Sequence, residues 1–187
     1  MRIISGKLKG FKLNKPSTYS IRPTADRFKE TLFSIIFSLK FNENLLGKNF
    51  LDLCSGTGNI GLEAFSRGAK KVYMIDREKN SINLIKKNIS KLKLHKQLNN
   101  EIFILQSDFR KINKLNLPKL DFVFFDPPYK SCFYIDFLLI VKNSNLFHEK
   151  TTIFIETNAE IDFQNINLKV VFFRKISGSF LYCLKLN

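Results

Sequence analysis

The chain has 187 residues, 44% of them hydrophobic, and its 31 basic against 16 acidic residues give a formal net charge of +15. That length suits one domain with a sizeable core, and the charge points to a polyanionic partner. No apolar run is long enough to cross a bilayer and Met1-Arg2-Ile3-Ile4 lacks the apolar stretch of a signal peptide, so a cytoplasmic protein is expected. Cys54, Cys132 and Cys183 are odd in number and far apart, with no C-x-x-C pair and no histidine cluster, which argues against a disulfide framework and against a bound metal.

The first segment reads as a hairpin over residues 2 to 14, and along the N-terminal segment Lys7, Lys9, Lys12 and Lys15 alternate with apolar residues or glycine. Arg22, Arg27 and Lys29 follow. A basic arm of this kind suits phosphate contacts, each adding sequence-independent affinity; a solvated basic hairpin would read the same way. Only 7 of the basic residues are arginines, and asparagine, isoleucine and phenylalanine are abundant. Part of the lysine excess therefore reflects composition, and placement matters more than the total.

A helix is expected from Pro23, with Ala25, Phe28, Leu32, Ile35, Ile36 and Leu39 forming one apolar stripe. Pro23 suits the first turn, and Asp26 and Glu30 suit the helix dipole. Arg22, Thr24, Asp26 and Arg27 either border a ligand or only fix the helix start.

The next elements are a strand over 49–54, a glycine-rich turn Ser55-Gly56-Thr57-Gly58 and a helix beginning at Asn59. The glycines satisfy the dinucleotide pattern G-x-G-x-x-G, but Asp52 separates the readings. An acid just before the turn would repel a pyrophosphate at the helix N-terminus, whereas a ligand with a cationic end suits it. S-adenosylmethionine carries an ammonium and a sulfonium, and its carboxylate can take the helix amides. The alternative is a strand-end carboxylate bonded to local backbone. Cys54 adjoins this turn and reads as a small core residue rather than a nucleophile.

Asp76 ends a second strand over 71–76, where a ribose diol would lie, and Arg77 follows it. Ile82, Ile85, Ile89 and Leu92 then alternate at helical spacing with Lys86, Lys87, Lys91 and Lys93, an amphipathic helix with a wet face. A third strand over 101–106 leads to Asp108 and Phe109. Asp108 can meet an adenine amine or cap the following turn. His95 and His148 lie in polar stretches and are assigned to the surface.

The fourth strand, over 120–126, stops at Asp126-Pro127-Pro128-Tyr129. A carboxylate at a strand end accepts from an N–H, two prolines leave carbonyls without amides of their own, and a tyrosine ring stacks on a base. These are the parts needed to handle a planar exocyclic amine; an ordinary Asp-Pro turn is the plainer reading. Strands over 151–157, 169–176 and 180–186 complete the chain, the last two flanking Ser177-Gly178-Ser179 as a hairpin. Strand and helix alternate, the pattern of a parallel sheet covered on both faces, and ligands in such sheets bind at the carboxyl ends of the strands. Asp52, Asp76, Asp108 and Asp126 all fall at that edge.

With these residues in hand the chain resembles the RsmD family, bacterial methyltransferases that modify guanine N2 in 16S ribosomal RNA. The likeness runs from Arg2-Ile3-Ile4-Ser5-Gly6-Lys7-Leu8-Lys9-Gly10 through Arg22-Pro23-Thr24-Ala25-Asp26-Arg27-Phe28-Lys29-Glu30-Thr31-Leu32-Phe33 to the glycine loop and the Asp-Pro-Pro-Tyr segment. The last of these also serves adenine-N6 and cytosine-N4 enzymes, so the guanine assignment rests on the first two. The resemblance implies an α/β fold, the seven-stranded class I methyltransferase sheet in the order 3-2-1-4-5-7-6, with residues 1–20 as an RNA-binding hairpin and 21–187 as the catalytic domain. It implies S-adenosylmethionine as methyl donor, held by Asp52, Ser55, Gly56, Gly58, Asp76, Arg77, Asp108 and Phe109, and no metal. Catalysis would fall to Asp126, Pro127, Pro128 and Tyr129, and RNA contacts to Lys7, Lys9, Lys12, Arg22 and Arg27. The expected partner is 16S rRNA in the small subunit or its assembly intermediate, bound by a monomer. A DNA adenine methyltransferase, a protein-glutamine methyltransferase and a non-catalytic assembly factor are the competing readings.

Overall fold

The structure, a computed structural model, describes residues 1–16, 26–38, 44–128, 131–161, 163, 168–176 and 178–186. Its elements are α1 (Asp26–Ile36), β1 (Asn49–Leu53), α2 (Asn59–Ser66), β2 (Lys71–Asp76), α3 (Lys79–Lys91), β3 (Ile102–Gln106), a 3-10 turn (Phe109–Lys114), β4 (Phe122–Phe125), α4 (Ser131–Asn143), β5 (Thr152–Thr157), β6 (Leu168–Ile176) and β7 (Ser179–Leu186). The seven strands form one sheet in the order β3-β2-β1-β4-β5-β7-β6. The first five pair in parallel, and β7 is antiparallel to both β5 and β6. Fold class and strand order are therefore those that the resemblance implied.

Helices on both faces leave no wet side to the central strands, which is why β4 and β5 read as near-continuous apolar runs and are buried throughout. Phe50, Val72, Met74, Phe122, Phe124 and Phe154 join α1, α2 and α3 in one core cluster. The alternate residues Leu51, Tyr73, Ile75, Val123, Phe125 and Ile155 pack with α4 and the 3-10 turn in the other. Ring contacts orient α1. Phe28 lies edge-on to Phe124, while Phe33 stacks on Phe50, at the start of β1. Helix α1 thus runs against the strands, and its N-terminus sits at their carboxyl edge. Residues 17–25, with Pro23 and Ala25 of the predicted first turn and the expected boundary near residue 20, lie outside the described residues, as does Leu39.

The N-terminal segment folds back on itself as a short hairpin: around the antiparallel Arg2–Lys12 bridge, the Phe11 carbonyl accepts Ile3 N–H, the Ile3 carbonyl accepts Gly10 N–H and the Met1 carbonyl accepts Leu13 N–H. Amides outside that pairing dock the hairpin on α2: the Glu63 carboxylate accepts from Ile4 (2.8 Å) and Ser5 (3.0 Å), and the last turn of α2 accepts Lys7 N–H on the Ser66 carbonyl and Leu8 N–H on Ser66 Oγ. Gly6, at φ +84°, makes this approach possible, since a Cβ there would lie 1.9 Å from the Ser66 carbonyl oxygen. Ile3, Leu8 and Leu13 are buried in the same cluster as α1 and α2.

Beneath this segment lies a pair that the apolar stripe did not reveal. Lys29 and Glu63 have no exposed side-chain surface, and Lys29 Nζ stands 3.0 Å from Glu63 Oε2 and 2.8 Å from Asn59 Oδ1. Arg67 closes the other side of Glu63 at 2.7 Å. Burial lowers the Lys29 ammonium's pKa in spite of the neighbouring carboxylate. No helix among the described residues is long and apolar enough to cross a membrane. His95 is exposed as expected; His148 is half-buried, its Nδ1 accepting from the Lys150 amide.

Candidate active site

The glycine-rich turn is built by backbone conformations that most residues avoid. Cys54, Gly56 and Gly58 take positive φ values of 63°, 53° and 72° in sequence. At Gly58 a Cβ would press against Ile85 and Met74 at 3.0 Å, and at Gly61 it would meet the Met74 side chain at 2.6 Å. The turn is closed by Gly58 N–H on the Ser55 carbonyl, and the Ser55 hydroxyl reaches the Asp52 and Ile75 carbonyls. Asn88 supports it from α3, donating to the Thr57 carbonyl while accepting the Asn14 amide.

Asp52 is buried and its Oδ2 accepts the Gly61 amide at 2.8 Å. It thus takes one of the free amides at the start of α2, the group that sequence reasoning reserved for a ligand carboxylate. The local-backbone alternative is realised, and it still leaves a second oxygen. Burial, opposed by the Gly61 amide and reinforced by Asp76, pushes the Asp52 carboxyl up to about 8. Asp76 also holds the loop: one oxygen accepts Gly56 N–H and the other Glu78 N–H, both at 2.8 Å. Burial raises its pKa, with these two amides pulling the other way.

Asp108 does what its capping alternative described. Its oxygens accept the Arg110 amide at 2.9 Å and the Arg110 guanidinium at 2.7 and 2.9 Å, which holds its carboxyl down at about 2. At the end of β4, the Asp126 amide reaches the Leu53 carbonyl at 3.4 Å, so the Asp-Pro-Pro corner leaves the sheet beside the glycine turn. Tyr129, Arg22 and Thr24 lie outside the described residues.

A cavity of about 530 Å³ joins these parts. Of the expected residues, Gly56, Asp76, Arg77, Phe109, Asp126, Pro127 and Pro128 line it; Asp52, Ser55, Gly58 and Asp108 do not. Cys54, Ile75, Glu78, Asn80, Ser81, Ser107 and Phe133 line it too and were missed as site residues. Phe133 stands edge-on to Phe109 at 5.5 Å, an apolar wall formed by α4 and the 3-10 turn that sequence spacing alone does not bring together. The edge is strongly acidic. Cys54, between β1 and the turn, has its thiol pKa pushed well up by burial and then by Asp76, Asp126, Asp52 and Asp108, so all four predicted acids act on one point. A thiolate is disfavoured there, and a cation is favoured. Among the described residues no cluster of His, Cys, Asp or Glu suits a metal ion. Lys7, Lys9, Lys12 and Arg27 are exposed, and the Lys7 ammonium lies 3.6 Å from the Phe65 ring centroid.

A family profile described as Conserved hypothetical protein 95, the RsmD family, matches residues 1–184. The chain belongs to the RsmD family. A Haemophilus influenzae protein named ribosomal RNA small subunit methyltransferase D is 33% identical over 160 residues, which are 86% of this chain and 80% of that protein. A Buchnera aphidicola protein of the same name is 30% identical over 154 residues, 82% of this chain and 76% of that one. Among solved structures, yhhF from Escherichia coli superposes with a TM-score of 0.83 at 23% identity, covering 100% of this chain and 98% of its own, a likeness of fold. HI0767 from Haemophilus influenzae gives 0.77 at 26% identity, with 99% and 97% covered. The RsmD-family chain thus carries the class I methyltransferase sheet.

Proposed function

We propose that this protein transfers a methyl group from S-adenosylmethionine to the exocyclic N2 amine of a guanine in 16S rRNA, within the small ribosomal subunit or its assembly precursor, as a cytoplasmic monomer. The observation that carries the reading is one cavity in which the Asp126-Pro127 corner faces the acid-rich turn between β1 and α2. Relatives named as small-subunit rRNA methyltransferases support the choice of RNA, and the exposed Lys7, Lys9, Lys12 and Arg27 suit its phosphates.

The site fits the cofactor. A volume of about 530 Å³ is that of an ordinary small-molecule pocket. Acids on the turn suit an ammonium and a sulfonium, Asp76 keeps lone pairs for a ribose diol after binding two amides, and Phe109 offers an apolar face to a purine. When bound, S-adenosylmethionine supplies a methyl group already activated by its positive sulfur. What remains for the protein is the nucleophile, whose lone pair is delocalised into the guanine ring. The Asp126 carboxylate and Pro127 carbonyl accept from the two N–H bonds and strengthen as positive charge grows on nitrogen, so they favour the transition state over the ground state. Tyr129 stacks on a base that is unpaired or flipped out. The proton leaves after transfer, from an ammonium acidic enough to lose it to Asp126 or to water.

The test is transfer of labelled methyl to small subunits lacking their methylguanines, and to naked 16S RNA, with the product nucleosides separated by mass spectrometry. N2-methylguanosine is expected. N6-methyladenosine would overturn the target, and tight RNA binding without any methylated product would replace the enzyme by an assembly factor.

A further inference from the structure

Glu156, on β5, is a buried acid that the chemistry above does not use. Its place is set by register. Strand β5 pairs in parallel with β4, Phe124 opposite Phe154 and Phe125 opposite Ile155, so Glu156 stands one step on, beside Asp126. Faces agree as well. Phe124 and Phe154 belong to the core under α1, whereas Phe125 and Ile155 belong to the opposite core. Carried one residue past the end of β4, the alternation puts Asp126 on the face of Glu156, the two on neighbouring strands about 4.8 Å apart; Asp126 lines the cavity, and Glu156 is its neighbour just outside that lining. The N-terminus of α1 comes to this edge on this face, since Phe28 lies on Phe124. From the other side, Tyr134 donates its hydroxyl to the Glu156 carbonyl oxygen at 3.4 Å, which steadies the backbone there.

An amine-reading corner such as Asp126-Pro127 does not by itself tell guanine from adenine, because both offer an exocyclic N–H. The adjoining ring atom does. Guanine carries a hydrogen on N1 next to its N2 amine, whereas adenine has a bare lone pair on N1 next to its N6 amine. An ionised carboxylate only accepts hydrogen bonds, so placed beside the amine site it matches the first base and opposes the second. We propose that Glu156 accepts the N1–H of the target guanine while Asp126 and Pro127 accept from its amine, so that the carboxyl edges of two adjacent strands read two adjacent donors. This inference rests on the guanine-N2 reading and gives it a source of base selectivity.

The experiment replaces the target guanine, once mass spectrometry has located it, by 2-aminopurine in a reconstituted small subunit. That base keeps the 2-amine and lacks the N1 hydrogen. With the wild-type enzyme, kcat/KM should fall by roughly 100-fold or more on the analogue. In Glu156→Gln, whose amide can turn to donate to a bare N1, transfer to guanine should fall by a similar factor, and the penalty for 2-aminopurine should shrink to less than about 5-fold. Cofactor affinity should not move in this variant. An equal penalty in both enzymes would make Glu156 merely structural and overturn the proposal. So would wild-type enzyme that methylates guanine and 2-aminopurine equally well, a comparison that needs no variant to fold. If the wild-type enzyme forms no N2-methylguanosine at all, the guanine reading itself fails and the role of Glu156 falls with it; N2-methylguanosine without discrimination removes this inference alone.

Discussion

Replacing Asp52 by asparagine should make the protein more stable at neutral pH and a weaker binder of a cationic cofactor. Burial is the main reason that the Asp52 carboxyl is pushed from 3.8 up to about 8; the Gly61 amide opposes the rise and Asp76 adds to it. The folded chain keeps a proton that the unfolded chain releases above 3.8, so stability contributed by this group is complete at acid pH and is lost as pH rises towards about 8. At pH 7 the difference spans about three pH units at ~1.4 kcal/mol each, on the order of 4 kcal/mol. Asparagine keeps an oxygen for the Gly61 amide and has no proton to release. The gain in unfolding free energy should therefore grow from near zero at about pH 4 to several kcal/mol at pH 7, and level off above about pH 8. Urea unfolding of both proteins at stepped pH, with m-values compared, measures it. A cationic ligand favours the ionised acid, so wild-type binding at pH 7 should release nearly one proton per S-adenosylmethionine, seen by calorimetry in buffers of different ionisation enthalpy. The variant should bind roughly 10- to 100-fold more weakly and release less. A stability difference that is flat across pH would refute the buried-acid reasoning, and unchanged affinity with unchanged proton release would refute the contact with the ligand.

Asp126→Ala should lower turnover by roughly 100-fold or more with cofactor affinity nearly intact; more than half of wild-type turnover would remove its role. Asp76→Ala should act in reverse, weakening the calorimetric affinity for S-adenosylmethionine first, because it loses the ribose acceptor and releases the Gly56 and Glu78 amides together. Lys29→Met should cost about 3–5 kcal/mol in urea unfolding, since it leaves Glu63 buried with one cation fewer; a loss below about 1 kcal/mol would mean that Arg67 suffices. Titration of the native protein with a thiol reagent should find one fast equivalent, the exposed Cys132; half-buried Cys54, whose thiol pKa is pushed well up, should react far more slowly, and buried Cys183 only after unfolding. A second fast equivalent would contradict the acidic setting of Cys54.

The strands were readable because those buried on both faces must be apolar without interruption, and Phe122-Val123-Phe124-Phe125 is such a run. Alternation of strand and helix carries no information on strand order, which came from the resemblance. The acids at the carboxyl edge were readable for a topological reason, since each ends a strand. Their hydrogen bonds were not. Whether Asp52 meets a ligand or the Gly61 amide, and whether Asp108 reaches outward or caps its own turn, depends on a competition between partners that spacing does not resolve. The hairpin was readable, but its docking was not, for a related reason: the amides outside its own pairing find Glu63 and the end of α2, partners that spacing does not reveal. Lys29 did leave a signal. It lies three residues before Leu32 and seven before Ile36, inside the apolar stripe, where a lysine requires a buried partner.

That partner ties the basic N-terminal segment to the elements that carry the glycine turn. One carboxylate, Glu63, accepts the Ile4 and Ser5 amides, the Lys29 ammonium and the Arg67 guanidinium, so it joins the N-terminal segment, α1 and α2 at a single point. Lys29 also donates to the side-chain oxygen of Asn59, the first residue after the glycine turn, and to the Arg2 carbonyl. A second tie runs from the Asn14 amide through Asn88 to the Thr57 carbonyl within the turn. Buried ion pairs add little net stability over apolar packing, but removing one member is costly, so such a pair enforces a single arrangement. Here the arrangement fixes the segment bearing Lys7, Lys9 and Lys12 against the same turn that borders the cavity. On the proposed function, a polyanion held by those lysines would be kept in fixed register with Asp126, without a hinge between binding and chemistry.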